Sequence, residues 1–166
     1  MCLFNSHYPD YTKYKAFIFC EGSFILNYQI EVLNKNNLTS YKSLIDGCFG
    51  SSNSIEQYQK YALNDEYVIW VMKEDDIIIG SVTQYAIELF TFDFQPCLML
   101  FNIAVSENYR NKGIGKQLLT YVIDKAKKDG YQSISLTCLD NAYPAHKTYE
   151  SMGFHRSNSF KYTMDI

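Results

Sequence analysis

LMLFNIAV at 98–105, SENYRNKG at 106–113 and IGKQLLTYVIDKA at 114–126 form the stretch that decides how this chain folds. Apart from Asn102, the first eight residues are apolar, the pattern of a central strand covered on both faces. The last segment puts Ile114, Leu118, Leu119, Val122, Ile123 and Ala126 on one helical face. Lys125, Lys127 and Lys128 suit its C-terminal dipole, and Gly130 stops it. Between strand and helix lies Arg110-Asn111-Lys112-Gly113-Ile114-Gly115-Lys116. A helix start leaves backbone N–H groups unpaired, glycines let an anion approach them, and Arg110, Lys112 and Lys116 add positive charge. The loop therefore suits a pyrophosphate, and it holds one of only two arginines in the chain, the other being Arg156.

Outward from this core, β-branched and aromatic runs predict a strand over 24–33 and two hairpin strands over 67–72 and 77–85 joined by KEDD. Helical spacing marks 38–49 and 55–63, with Thr39 or Ser40 and Ser54 as N-caps. After the central helix come a strand at 134–139, a helix at 144–152 opened by Pro144 and closed by Gly153, and a strand at 160–166. Residues 1–22 show no clean period and read as part of an N-terminal extension, 1–23, of unknown role. The order β, α, α, β, β, β, α, β, α, β predicts an α/β (α+β) domain over 24–166: a mixed central sheet with helices on both faces.

The loop's letters exclude two phosphate-binding motifs. A dinucleotide fingerprint needs glycine where Leu118 stands, and a Walker A loop needs glycine at Arg110 and Ser or Thr at Gln117. What remains is R-x-x-G-x-G from Arg110 to Gly115, which as six letters also fits a tight turn with a solvated basic rim. With the segment AHKTYESMGF at 145–154, the chain resembles the GNAT N-acetyltransferase superfamily. That family carries R/Q-x-x-G-x-G/A at the helix after its fourth strand and A-x-x-x-Y-E-x-x-G-F in a later helix.

The resemblance covers roughly residues 24–166 and implies a GNAT-like fold, acetyl-CoA as co-substrate without a metal, and direct transfer of acetyl to a primary amine of a small molecule or peptide. Acyl-CoA in the family lies in a splay between two central strands. Carried over, Ile103, Ala104 and Val105 would meet the pantetheine through their backbone, and Arg110, Asn111, Lys112, Gly113, Ile114, Gly115 and Lys116 would bind the pyrophosphate. Asn141 is a further pantetheine candidate, although it stands eight residues before the tyrosine where relatives have seven, and Ala142 fills the matching place. Tyr149 would be the general acid, since a phenol is protonated at neutral pH and can give its proton to a departing thiolate. The N–H of Val105 would stabilise the oxyanion. Many relatives keep a carboxylate on the fourth or a neighbouring strand as general base; 98–105 has none, which leaves Glu88, Asp93, His146 or a water relay. The rival is a non-catalytic acyl-CoA-binding or regulatory module.

Composition bounds the rest. At 166 residues, 47% hydrophobic and 20% charged, the chain is expected to form one compact domain. A net charge of −3 without a basic run argues against nucleic acid. Five widely spaced cysteines without a CxxC pair indicate neither a disulfide framework nor a zinc site. The longest apolar run, 67–72, is too short to cross a bilayer, so a cytoplasmic protein off the membrane is expected, with a homodimer left open. Residues 1–96 carry a net −6 and residues 97–166 a net +3. The family's acceptor side is built largely by the acidic half, so Asp46, Glu56, Asp65, Glu66 and Glu88 are expected to favour a cationic amine, with Tyr41, Phe49, Tyr58 and Tyr61 lining its path.

Overall fold

A computed structural model describes residues 15–18, 28–64, 67–88, 96–159 and 161–166. The chain runs through β1 (Lys15–Ile18), β2 (Tyr28–Val32), α1 (Leu38–Phe49), α2 (Ile55–Tyr61), β3 (Val68–Glu74), β4 (Ile77–Glu88), β5 (Pro96–Val105), α3 (Ile114–Lys128), β6 (Ser133–Leu136) and α4 (Tyr143–Ser151). The six strands form one sheet in chain order, antiparallel throughout except for the β5–β6 pair. This is the expected mixed α/β sheet, with the unassigned stretch 1–22 contributing β1 at its edge. The central strand is thereby fifth in the order.

Helices cover both faces. In β3, Trp70 and Met72 point to one side and Ile69 and Val71 to the other, and all four are buried. Such a run needs cover above and below. On the Trp70 side, α3 buries Ile114, Leu118, Leu119 and Val122, and the Trp70 and Tyr121 rings meet edge to face at 5.2 Å. The indole N–H is satisfied inside the core by Gln84 Oε1 at 2.8 Å. On the opposite side, Leu38, Tyr41, Leu44 and Ile45 of α1 and Tyr58 of α2 pack on Ile69, Val71, Ile78 and Ala104.

Local chemistry moves several element ends. Ser54 caps α2 as expected, accepting from Gln57 N–H at 3.3 Å while Gln57 Oε1 accepts from Ser54 N–H at 2.7 Å. We expect Ser54→Ala to cost about 1 kcal/mol. That is a Tm fall of about 2–4 °C at this chain length, read by circular dichroism; an unchanged Tm would show that the capping box does not hold α2.

At α1 the cap position falls on Asn37, not on Thr39 or Ser40. Asn37 spends its side chain on Asn34 N–H and on Glu31, and Ser40 Oγ accepts from Ile78 N–H at 2.8 Å, tying α1 to β4. The expected strand at 24–33 appears as β2, with 24–27 outside the described residues. The strand expected at 160–166 is not formed: 161–166 are exposed and irregular, and Phe160 lies outside the described residues. Alternating apolar residues there have no partner strand, and alternation without pairing does not make a sheet. No helix among the described residues is long and apolar enough to cross a membrane.

Candidate functional site

The strand expected at 134–139 ends early, and that shortening opens the site. Parallel pairing of β5 with β6 runs from Cys97↔Ser133 to Leu100↔Leu136 and stops, while β5 continues to Val105. Beyond Leu100 the two strands part, and β5 presents a backbone edge. A bulge opposite Ser81–Thr83 falls at Asn102, which adopts φ +46°. Ser106 donates its N–H to Ile79 on β4, so by strand alternation Ala104 also faces β4 while Ile103 and Val105 turn their backbone groups to the open side. The Val105 carbonyl there accepts from Arg110 Nε at 3.3 Å.

Below the strand end, a 3-10 turn at Glu107–Tyr109 leads into the glycine loop, and the Tyr109 hydroxyl donates to the Glu74 carboxylate. That bond, more than burial, pushes the Tyr109 phenol up to about 12. Asn111 and Gly113 are left-handed at φ +61° and +79°, and α3 begins with no side chain capping it. Its first N–H groups are left for another acceptor, in the manner of an anion nest. A Cβ on Gly115 would meet Val105 Cγ2 at 3.4 Å, so the helix start seats closely on the end of β5. Arg110, Asn111, Lys112 and Lys116 are exposed around this start, with Lys112 Nζ 5.0 Å from the Tyr109 ring centroid. Ile114 differs, because its side chain is core and only its backbone faces the loop.

Tyr149 on α4 packs against the same core cluster as Ile103 and Val105. Its ring meets Phe154 edge to face at 6.0 Å, and its carbonyl accepts from the N–H groups of Met152 and Phe154, which explains the G-F pair in the motif. Nothing among the described residues hydrogen-bonds the Tyr149 hydroxyl. Burial, with a smaller contribution from nearby Cys138, pushes this phenol up to about 12.

His146 is spoken for, its Nε2 lying 2.9 Å from the Leu139 carbonyl. Asn141 is exposed in the turn before α4. Glu88 pairs with Pro96 at the far end of β4, about 20 Å along the strand from the bulge, too distant to serve as base. Asp93 lies outside the described residues, and among those described no group of three or more His, Cys, Asp or Glu could hold a metal ion.

On the other face of β4 and β5 lies a cleft of about 900 Å³. Tyr41, Phe49, Tyr58 and Tyr61 line it as expected; Tyr67, Tyr85 and Phe101 join them. Sequence reasoning missed these three, though the alternation Thr83, Tyr85, Ile87 against Met99, Phe101 carries the signal. The acidic residues whose places are described are not in that lining. Asp46 is paired with Lys42, which together with the Tyr58 hydroxyl at 3.2 Å holds its carboxyl below the usual range. Glu56 and Glu88 are exposed away from the lining, and Asp65 and Glu66 lie outside the described residues. None of the described lining residues is charged, so Asp46, Glu56 and Glu88 do not form the acidic acceptor path expected of them.

The acetyltransferase (GNAT) family profile matches residues 38–154. N-acetyltransferase family 8 member 2 of Rattus norvegicus is 28% identical over 101 residues, 61% of this chain and 44% of the relative. The ribosomal protein bS18-alanine N-acetyltransferase of Escherichia coli K12 is 38% identical over 78 residues, 47% of this chain and 51% of the relative. The chain thus spans about half the length of the curated relatives it matches. Among solved structures, a Trypanosoma brucei acetyltransferase superposes with a TM-score of 0.70 at 20% identity, covering 84% of this chain and 100% of that one. The aminoglycoside N-acetyltransferase AAC(6')-Iy, solved in complex with CoA, gives 0.71 at 17% identity, covering 84% and 95%. These likenesses support the fold.

Proposed function

This chain belongs to the acetyltransferase (GNAT) family, and we propose that residues 24–166, with β1 joined to the edge of their sheet, form one domain that transfers acetyl from acetyl-CoA to the primary amine of a small molecule or peptide. One observation carries the proposal. The open edge of β5 and the uncapped start of α3 meet at Val105 and Gly115, and Tyr149, its hydroxyl unengaged among the described residues, packs against the same core cluster as Ile103 and Val105.

These groups fit acetyl-CoA. Ile103 and Val105 would pair with the pantetheine amides as an added strand would, with Ala104 contributing through its neighbours since its own groups face β4. The stretch from Arg110 to Lys116 would hold the pyrophosphate through its N–H groups and positive side chains, and Asn141, exposed in the turn before α4, would meet the pantetheine. When bound, acetyl-CoA supplies a thioester carbonyl for the amine to attack and a thiolate to leave. The Val105 N–H, directed into the opening, would take the negative charge that builds on the carbonyl oxygen. Tyr149 would donate the proton that the departing sulfur requires. No carboxylate stands on the open part of β5, so water is the simplest carrier of the proton the amine gives up.

Thermal shift and thiol release test this together. Acetyl-CoA at a hundredfold excess over its Kd should stabilise the fold by about 2.7 kcal/mol. Free CoA should then appear when a suitable amine is added. No rise in Tm would remove the cofactor site, whereas a rise without thiol release from a broad amine panel would favour a binding module. A cytoplasmic setting and the absence of nucleic-acid or membrane partners belong to the same proposal, and a homodimer stays open within it.

A further inference from the structure

We propose that the aromatic cleft on the α1–α2 face selects an acceptor amine carried on a single apolar or aromatic body and discriminates against polyamines. This rests on the acyltransferase function proposed above, because the cleft reaches the reaction strand from the opposite side. Phe101 and Asn102 are part of its lining, at the bulge beyond which β5 opens toward the glycine loop. An amine seated in the cleft thus approaches β5 near the residues assigned to the thioester.

The lining decides what fits. Tyr61 and Phe49 are 54% and 55% exposed, and Tyr85 and Phe101 are each 39% exposed, so large rings stand open to solvent around one concavity. A monomer rarely leaves such a cluster uncovered without a ligand to cover it. A ring or alkyl chain entering there exchanges water for aromatic faces on several sides. A single ammonium is tolerated against tyrosine rings. A second one would be stripped of water with no carboxylate among the described lining residues to receive it, since Asp46 is already held by Lys42.

Two polar groups of the lining, buried Thr83 and exposed Asn102, give the amine a point of attachment. Thr83 is 6% exposed, and its hydroxyl has no hydrogen-bond partner of good geometry, although the Tyr41 hydroxyl lies near enough to interact. The Asn102 side chain, on the left-handed residue of the bulge, has no hydrogen-bond partner among the described residues. The same lack of charge has a chemical consequence: a bound ammonium without a counter-ion releases its proton more readily. A lining whose described residues carry no charge therefore favours the neutral nucleophile without a carboxylate on β5.

The test compares hexylamine with 1,6-diaminohexane, which differ by one ammonium, alongside 2-phenylethylamine. Expected is a kcat/KM at least tenfold higher for hexylamine and 2-phenylethylamine than for the diamine, with the same order in calorimetric binding to the CoA-loaded protein. Tyr85→Glu, and independently Tyr61→Glu, should narrow or invert that ratio by placing a carboxylate in the wall; both side chains are partly exposed, so the fold should tolerate the change. A diamine equal to or better than hexylamine in the wild type would overturn the proposal. So would a ratio that neither glutamate alters. If CoA fails to bind, acyl transfer falls instead, and calorimetry with the free protein still reads the cleft's preference.

Discussion

Replacing Tyr149 by phenylalanine is expected to lower kcat for acetyl transfer about 100-fold while changing the Kd for acetyl-CoA less than about threefold. The hydroxyl makes no hydrogen bond among the described residues, so its removal takes nothing from the resting fold. Stability should stay within about 0.5 kcal/mol of wild type. What is lost is a proton donor at the one step that needs it, and such a loss acts on the transition state, not on binding. Burial holds the phenol near 12, so it stays protonated across the working pH range. The wild-type profile should therefore rise as the amine deprotonates and show no falling limb up to about pH 10. A variant within threefold of wild-type kcat would make Tyr149 a packing residue, whereas a falling limb near 9 lost in the phenylalanine variant would mean that the phenol titrates below the value its burial sets.

Much of this site was legible in the sequence because its parts are local. A strand, a glycine turn with basic residues and an amphipathic helix follow one another within 98–128, and the positive φ of Gly113 is what glycine at that place suggests. Asn102, the one break in an apolar strand, marked the bulge, although its consequence was not readable. The opening itself depends on where two strands cease to pair. Ile134–Leu139 reads as strand throughout, yet only Ser133–Leu136 lies in the sheet, and no feature of the letters says that Thr137 departs.

On the acceptor side the expected aromatic residues line the cleft, while Asp46, Glu56 and Glu88 do not, for a different reason. A net charge summed over half a chain is not the charge of a face, because folding pairs some of those groups and scatters the others. Asp46 meets Lys42, Glu31 meets Lys73 at 3.2 Å beneath the surface, and Glu74 takes the Tyr109 hydroxyl on the glycine-loop side. Rings carried on alternating strand positions, Tyr85 and Phe101 among them, make up much of the described lining of that face.

Gly113→Glu is expected to raise the Kd for acetyl-CoA about 100-fold or more. The residue sits at φ +79°, where a side chain costs about 1–2 kcal/mol of backbone strain, so the variant should fold. Space is not the obstacle: a Cβ there has only Gln117 Nε2 within reach, at 3.7 Å. The obstacle is charge. A carboxylate at the first N–H groups of α3 would occupy the place offered to the pyrophosphate, and two unit charges 4 Å apart repel by about 4 kcal/mol at a surface-like dielectric. Gly113→Ala isolates the strain, which is present with and without ligand, and should weaken binding less than about tenfold. Salt separates the causes further, because the penalty of the glutamate should shrink between 0.05 and 0.5 M KCl, where the Debye length falls from over 10 Å to about 4 Å, while that of the alanine should not. Equal losses in both variants would assign the effect to loop geometry, and a glutamate variant that binds like wild type would remove the loop from the cofactor site.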